Sequence, residues 1–204
     1  MGEPTLAAFL ELVDGRRGHF RLESGHHSSL WLELDALFNQ PWAIAPFVTR
    51  LTARLRKHAP EVVCGPLLGG AFLAQLLAHS LEVEFCFTER QAPPQADGLY
   101  GTRYQLPPAY RLRVRARRVA MVDDVMSAGS ALRSTYLELK ARGAVPVVAG
   151  ALLVLGDLAA DFFAQQHVPI EAVARDAYEL WEPTECPLCA AGRPLEDATR
   201  RSET

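Results

Sequence analysis

Short apolar runs alternate with amphipathic segments from residue 62 to residue 174, and this alternation constrains the fold more than any other feature of the chain. The amphipathic segments carry apolar residues at helical spacing and predict helices at 71–79, 130–142 and 157–166. The apolar runs predict strands at 62–64, 83–87, 119–122, 147–155 and 170–174. We therefore predict an α/β fold with a central, mostly parallel sheet flanked by helices.

The N-terminal segment predicts a small hood beside this sheet. A short helix at 5–13 precedes two alternating segments, 19–22 and 30–34, that are typical of strands. Residues 41–58 predict a long helix, because proline suits a first turn and an apolar stripe follows it. We expect one domain over residues 1–180, with the hood in about 1–40, and a polar C-terminal tail over 181–204.

The composition suits a packed core, with 49% hydrophobic and 22% charged residues among 204. The net charge of −3 argues against a general nucleic-acid binder. No apolar run reaches the roughly 20 residues that a membrane helix needs, and residues 1–13 lack the basic start of a secretory signal. We therefore predict a cytoplasmic protein with no membrane partner and no nucleic-acid partner.

The run from Val119 to Ala131 is the strongest indication of function. Its apolar strand leads into Asp123 and Asp124, and a loop of small residues then opens a helix. A helix N-terminus offers unpaired N–H groups and a partial positive charge to phosphate, and adjacent carboxylates accept hydrogen bonds from vicinal ribose hydroxyls. At the carboxyl end of a parallel strand, this pattern predicts a sugar-phosphate site. The alternative is that Asp124 and Ser130 only cap the helix.

Residues 119–131, with the sequence VAMVDDVMSAGSA, resemble the signature of the type I phosphoribosyltransferases, and the ending is most like the orotate phosphoribosyltransferase branch. The resemblance implies a type I phosphoribosyltransferase-like fold. It implies that the two acids hold the ribose hydroxyls of 5-phosphoribosyl-1-pyrophosphate and that residues 127–131 hold its 5-phosphate. The substrate-binding candidates in this run are Asp123, Asp124, Val125, Met126, Ser127, Ala128, Gly129, Ser130 and Ala131.

A second strand–loop–helix segment, CGPLLGGA at residues 64–71, is similar to the pyrophosphate loop of that family. On this resemblance Leu68, Gly69 and Gly70 bind the diphosphate, and the glycines expose backbone N–H groups to it. The resemblance also implies Mg²⁺ as the cofactor, and the sequence leaves its protein ligands open.

Residues 20–29 resemble the hood of orotate phosphoribosyltransferases, which carries a Ser-Gly-x-x-Ser pattern near the base. The base-binding candidates are therefore Arg21, Ser24 and Gly25. Strand alternation puts Arg21 on the same face as Glu23, where the family has lysine. Arg21 is thus our candidate partner for the carboxylate of orotate.

Three charged positions of the family differ in this chain. Glu23 replaces the hood lysine, residues 155–157 lack the arginine that helps to fix the base, and the loop at 88–110 contains no lysine or histidine. Arg90 and Arg103 are the loop's cations, and with Asp123 and Asp124 they are our catalytic candidates. As permanent charges they can stabilise a leaving diphosphate, but they cannot donate a proton at neutral pH. The loop's other polar candidates are Glu89, Asp97, Tyr100 and Tyr104.

The resemblance implies a pentosyltransferase that moves the phosphoribosyl group to a nucleobase. The favoured base is orotate, which gives orotidine 5-monophosphate in pyrimidine biosynthesis, and a homodimer is expected. Two alternatives stay open: the same chemistry on a purine or another base, and a non-catalytic phosphoribosyl pyrophosphate sensor or RNA-binding regulator. The missing cations are the reason to keep them.

Two patterns lie outside this site. The alternating arginines of residues 111–118 predict a charged edge strand, with a dimer contact or an RNA surface as alternatives.

Cys186 and Cys189 supply half of the roughly four ligands of a structural zinc site. The sequence favours an unmetallated tail, with two pairs combined across a dimer as the alternative. The adjacent His26 and His27 predict surface residues rather than metal ligands.

Overall fold

The computed structural model describes residues 4–22, 24–35, 37–91 and 103–197. Glu23, Asp97 and Tyr100, which the sequence singled out, lie outside these described residues. Within the described ranges, no helix combines the length and the apolar character that crossing a membrane requires.

The elements follow the predicted order along the chain. The first part contains α1 (Leu6–Leu12), β1 (Arg16–Arg21), β2 (His27–Trp31), α2 (Pro41–Leu55) with a 3-10 turn (Arg56–His58), β3 (Val62–Pro66), α3 (Gly69–Leu81) and β4 (Glu84–Gln91). The second part contains β5 (Arg103–Gln105), α4 (Pro108–Arg111), β6 (Arg118–Met126), α5 (Ser130–Ala141), β7 (Val145–Leu155), α6 (Leu158–Gln165), β8 (Ile170–Asp176), β9 (Leu180–Trp181), a 3-10 turn (Pro183–Glu185), α7 (Pro187–Ala190) and β10 (Glu196–Asp197).

A six-stranded sheet in the order β5-β4-β3-β6-β7-β8 forms the body of the protein. Its neighbours from β4 to β8 pair in parallel, and β5 pairs antiparallel with β4. Helices cover both faces, because successive residues of the central strand β6 point into two different cores. Ala120 and Val122 pack with α1, α2 and α3, whereas Val119 and Met121 pack with α5 and α6. The predicted α/β architecture is confirmed.

A second sheet, in the order β10-β1-β2-β9, forms the hood. Strands β1 and β2 pair antiparallel and begin three residues before the strands predicted at 19–22 and 30–34. The two short outer strands come from the other end of the chain: β9 pairs antiparallel with β2, and β10 pairs in parallel with β1. Residues 180–197 therefore return to the N-terminal segment and complete its sheet.

The prediction of an edge strand over residues 111–118 is wrong. Residues 112–116 form turns after α4, and Ala116 has a left-handed backbone with φ of 58°. The alternation of arginines suggested a strand, but burial does not alternate with it, since Val114 is buried while Leu112 is 82% exposed. The arginine charges are used locally: Arg113 Nε lies 3.0 Å from Glu84 Oε2.

Candidate active site

The fold creates a crevice at the carboxyl ends of β3 and β6, which are adjacent strands. The chain leaves β3 into α3, which packs on one face of the sheet with Leu73 and Leu77. It leaves β6 into α5, which packs on the opposite face with Leu132 and Leu139. Neighbouring strands whose connections diverge in this way form a topological switch point, where open α/β sheets bind ligands.

Asp123 and Asp124 lie at this switch point. They are part of β6, which continues to Met126, whereas the sequence predicted a strand over 119–122 only. The Asp124 N–H donates to Asp123 Oδ1 at 3.1 Å, and the Val125 N–H donates to Asp124 Oδ1 at 2.8 Å. Burial, and then the neighbouring Asp124 carboxylate, raise the pKa of Asp123 well above its usual range. Burial also raises the pKa of Asp124.

The two acids approach Gly69 and Gly70, which begin the first helical turn of α3 (the Gly69–Gly70 turn), so closely that a Cβ atom on either glycine would force a neighbour to shift. A Cβ atom on Gly69 would lie 2.2 Å from Asp124 Oδ2, and one on Gly70 would lie 2.8 Å from Asp123 Oδ1. Strand β3 fixes the position of this turn, because a Cβ atom on Gly65 of β3 would lie 1.9 Å from the Gly70 carbonyl oxygen. The two loops that the sequence predicted separately therefore form one site.

Helices α3 and α5 begin at this site without side-chain caps. The N-cap of α5 is Gly129, whose φ of 70° is the left-handed conformation that glycine favours. The N-cap of α3 is Leu68, and in the described structure no side chain caps either helix. The alternative that Asp124 and Ser130 merely cap α5 is therefore wrong. The first N–H groups of both helices have no partner within their helix and suit an anionic ligand.

The residues that flank the 92–102 segment lie near the acids. Arg90 and Tyr104 are paired across β4 and β5, as are Gln91 and Arg103. Burial and the Asp123 charge raise the pKa of Tyr104, and the Arg90 charge opposes them. Tyr104 is therefore close enough to Asp123 and to Arg90 for both charges to act on it. Arg103 is exposed on the same hairpin.

A cavity of about 520 Å³ adjoins the acids on the side of the hood. Phe38 and Phe72 stand in its wall with their ring centroids 5.6 Å apart. Neither residue was among the predicted site residues, although Phe72 lies outside the buried stripe of α3 and is 45% exposed. A helical projection of α3 would have found it beside the glycine turn. The lining residues are Leu34, Asp35, Phe38, Asn39, Pro41, Leu68, Gly69, Phe72, Gln75, Leu76 and Asp124.

The three predicted base-binding residues lie in the hood and are not among the residues that line this cavity. Arg21 is on β1, with its Nη1 3.7 Å from Asp197 Oδ2. Ser24 Oγ lies 3.2 Å from His26 Nδ1 in the turn between β1 and β2. Gly25, in the same turn, has a φ of 82°. Their role in binding a base stays a prediction.

Known proteins resemble this chain over most of its length, although no protein-family model matches it. An orotate phosphoribosyltransferase from Heliobacterium modesticaldum is 32% identical over 180 residues, 87% of this chain and 86% of the relative. One from Thermotoga petrophila is 31% identical over 179 residues, 88% of each chain. Among solved structures, orotate phosphoribosyltransferase from Aeropyrum pernix has a TM-score of 0.66 at 24% identity and covers 83% of this chain and 93% of that one. Adenine phosphoribosyltransferase from Trypanosoma brucei has a TM-score of 0.63 at 15% identity, and the match covers 83% of this chain and 78% of that one.

Proposed function

Because this chain belongs to the orotate phosphoribosyltransferase family, we propose that it transfers the phosphoribosyl group of 5-phosphoribosyl-1-pyrophosphate to orotate and releases pyrophosphate. The observation that supports this most directly is the contact between the acid pair and the Gly69–Gly70 turn. That contact gathers two carboxylates and two uncapped helix N-termini, one of which begins with Gly69 and Gly70, around one crevice. These are the groups that a sugar carrying phosphates at both ends requires.

Each part of the crevice binds one part of the substrate. The N-terminus of α5 and the hydroxyl of Ser127 hold the 5-phosphate. Asp123 and Asp124 accept hydrogen bonds from the ribose hydroxyls, and the N–H groups at Gly69 and Gly70 hold the diphosphate. In the transfer, the bond between the anomeric carbon and the pyrophosphate oxygen breaks, a bond from that carbon to the base nitrogen forms, and the proton of that nitrogen passes to the released pyrophosphate.

The leaving diphosphate gains negative charge, which the site has to stabilise. Arg90 and Arg103 lie on β4 and β5, the strands that carry Tyr104 near Asp123, and supply permanent positive charge. Mg²⁺ is our proposed cofactor, and the carboxylate oxygens of Asp123 and Asp124 at the glycine turn are the hard ligands that suit it. When bound, it neutralises charge on the diphosphate.

The base is proposed to bind in the cavity whose wall contains Phe38 and Phe72, where a flat ring can stack on the exposed face of Phe72. We expect Phe72→Ala to raise KM for the base about 10-fold, since stacking of a base on an aromatic ring contributes about 1–3 kcal/mol. KM for phosphoribosyl pyrophosphate should stay within about twofold, because its proposed contacts are elsewhere. Steady-state kinetics with each substrate varied in turn measures both constants.

Trp42→Ala is the matched control for this variant. Trp42 is an aromatic residue near the cavity, 70% exposed and not among the lining residues. We expect it to leave both KM values unchanged. An unchanged KM for the base in Phe72→Ala would contradict this placement of the base.

A second candidate acceptor is a base without a carboxylate. Orotate needs a cationic partner, and among the described residues that line the cavity none is arginine or lysine, while Asp35 is acidic. Arg21 on the hood is our proposed partner for orotate. If Arg21 does not bind the carboxylate of orotate, a purine or a neutral pyrimidine would fit the cavity better.

Pyrophosphate release with one base at a time tests both candidates. The mixture contains the protein, phosphoribosyl pyrophosphate, Mg²⁺ and either orotate, uracil, adenine or hypoxanthine. We expect release with orotate and background rates with the others. Release with a base that lacks a carboxylate, and none with orotate, would favour the second candidate. Substrate binding in calorimetry without turnover on any base would favour a sensor.

Homodimerisation and a cytoplasmic location stay predictions drawn from the family resemblance.

A further inference from the structure

Two histidines of the hood and the two cysteines of the C-terminal segment meet at one point. His19 is on β1, His27 begins β2, and Cys186 and Cys189 bracket the first turn of α7. One ligand atom from each residue lies within 4.8 Å of the other three. His19, His27 and Cys186 are 4%, 5% and 3% exposed. The expectation that His26 and His27 are both surface residues is therefore wrong for His27.

The distances among these atoms match those of a tetrahedral zinc site. Zn–S bonds of about 2.3 Å and Zn–N bonds of about 2.0–2.1 Å place two nitrogens about 3.3 Å apart and a nitrogen and a sulfur about 3.5 Å apart. His19 Nε2 lies 3.2 Å from His27 Nδ1. Cys186 Sγ lies 3.4 Å from His19 Nε2, and Cys189 Sγ lies 3.7 Å from His19 Nε2 and 3.3 Å from His27 Nδ1.

The surroundings of His19 prepare its ring for a metal. His19 Nδ1 lies 3.0 Å from the Arg193 carbonyl oxygen, which can only accept a hydrogen bond. Nδ1 therefore carries the proton, and the lone pair of Nε2 points to the two sulfurs and His27. A backbone acceptor that fixes the tautomer in this way is the usual outer partner of a histidine bound to a metal.

The hood has a structural need for such a link. Its outer strands β9 and β10 are two residues long each and reach the sheet from the far end of the chain. Cys186 and His19 are 167 residues apart in sequence. A small sheet with little core of its own is typically stabilised by a metal or a disulfide, and a metal at this point would join both chain ends.

We propose that His19, His27, Cys186 and Cys189 bind one structural Zn²⁺ that fastens the C-terminal segment to the hood. All four ligands come from a single chain, and their closed N₂S₂ set leaves no position for a substrate. This site is separate from the crevice and does not depend on the proposed transferase activity. Its role is to stabilise the hood.

The test is the zinc content of the full chain, expressed without a polyhistidine tag in zinc-supplemented medium. After dialysis against metal-free buffer, mass spectrometry should find about one zinc per chain, as a closed four-ligand site requires. Cys189→Ala should reduce that content at least about 10-fold, because a lost ligand opens the site. Cys86→Ala makes the same change at a buried thiol on β4 and should keep the zinc.

Cobalt gives a second measurement that does not depend on folding of a variant. Chelator-treated parent protein titrated with Co²⁺ should develop the thiolate-to-cobalt absorption and the visible bands of tetrahedral coordination, saturating at about one equivalent. A parent protein without zinc, iron in its place, a Cys186–Cys189 disulfide after purification, or the absence of the cobalt bands would each overturn the proposal. Full zinc retention by Cys189→Ala would do the same.

Discussion

The double variant Asp123→Asn/Asp124→Asn is expected to lose about 10²- to 10⁴-fold in kcat/KM, because a hydrogen bond to a charged group contributes about 1.5–3 kcal/mol and two such bonds to the ribose are weakened. Asparagine keeps the Oδ1 oxygens that accept the N–H groups of Asp124 and Val125, so the strand geometry should persist. The loss should appear in calorimetric binding of phosphoribosyl pyrophosphate as well as in turnover.

The same double variant should be more stable than the parent when no ligand is bound. Folding raises the pKa of both carboxyl groups, so the native state binds more protons and the free energy of unfolding falls as pH rises through the native pKa values. Replacing both acids with asparagine removes this loss of folding free energy, because asparagine does not ionise. We expect a gain of about 1 kcal/mol at neutral pH, or about 2–4 °C in Tm.

The gain in stability should shrink as pH falls through the raised native pKa values and vanish below about 4, where the parent's carboxyl groups are protonated in both states. Thermal unfolding across a pH series measures it. Asp161→Asn is the control, since Asp161 is an exposed acid on α6, and it should change neither activity nor Tm appreciably. A double variant that retains full activity would refute the assignment of the acids to the ribose.

The variant Gly65→Ala is expected to lose about 10²-fold in kcat/KM without touching any group that contacts substrate. A Cβ atom there would lie 1.9 Å from the Gly70 carbonyl oxygen and 2.2 Å from its carbonyl carbon. Backbone cannot rotate away as a side chain can, so the turn at Gly69–Gly70 has to shift. A displacement of about 1 Å in a positioning element costs on the order of 10²-fold, and the overpacking costs about 1–3 kcal/mol of stability.

Gly143→Ala separates this effect from the general cost of replacing a glycine. Gly143 has a φ of 75° and lies after α5, with only the Arg115 side chain near its Cβ position, at 3.6 Å. The left-handed backbone costs about 1–2 kcal/mol for alanine, yet we expect kcat/KM to stay within about twofold. If Gly65→Ala binds phosphoribosyl pyrophosphate as well as the parent does, the proposed role of the turn is wrong.

The sequence predicted the inner strands of the central sheet well, because β3, β6 and β7 contain apolar runs that are buried on both faces. Residues 119–122, for example, are all apolar, which is typical of a strand that is buried on both faces. The continuation of β6 through the acids to Met126 was missed, since carboxylates seldom lie within a buried strand. Here the pairing with β7 extends to Met126↔Val154 and holds them there.

The site was predicted in parts, and its assembly was not. Local sequence indicated the acid pair and the glycine turn separately, but their contact depends on β3 and β6 being neighbours. Phe38 was missed because a cavity wall has no pattern along the chain, whereas the exposed Phe72 could have been found on a helical projection of α3. The cluster of His19 with Cys186 was missed for the same reason, as a separation of 167 residues leaves no spacing to recognise.

The hood unites strands from both ends of the chain, and this has a consequence for biosynthesis. The ribosome delivers β1 and β2 early, but their outer neighbours β9 and β10 emerge only after the whole parallel sheet has been made. Synthesis proceeds from the N-terminus, so the strands and helices that form the crevice leave the ribosome before the two outer strands of the hood do. The hood is then the last part of the molecule to close.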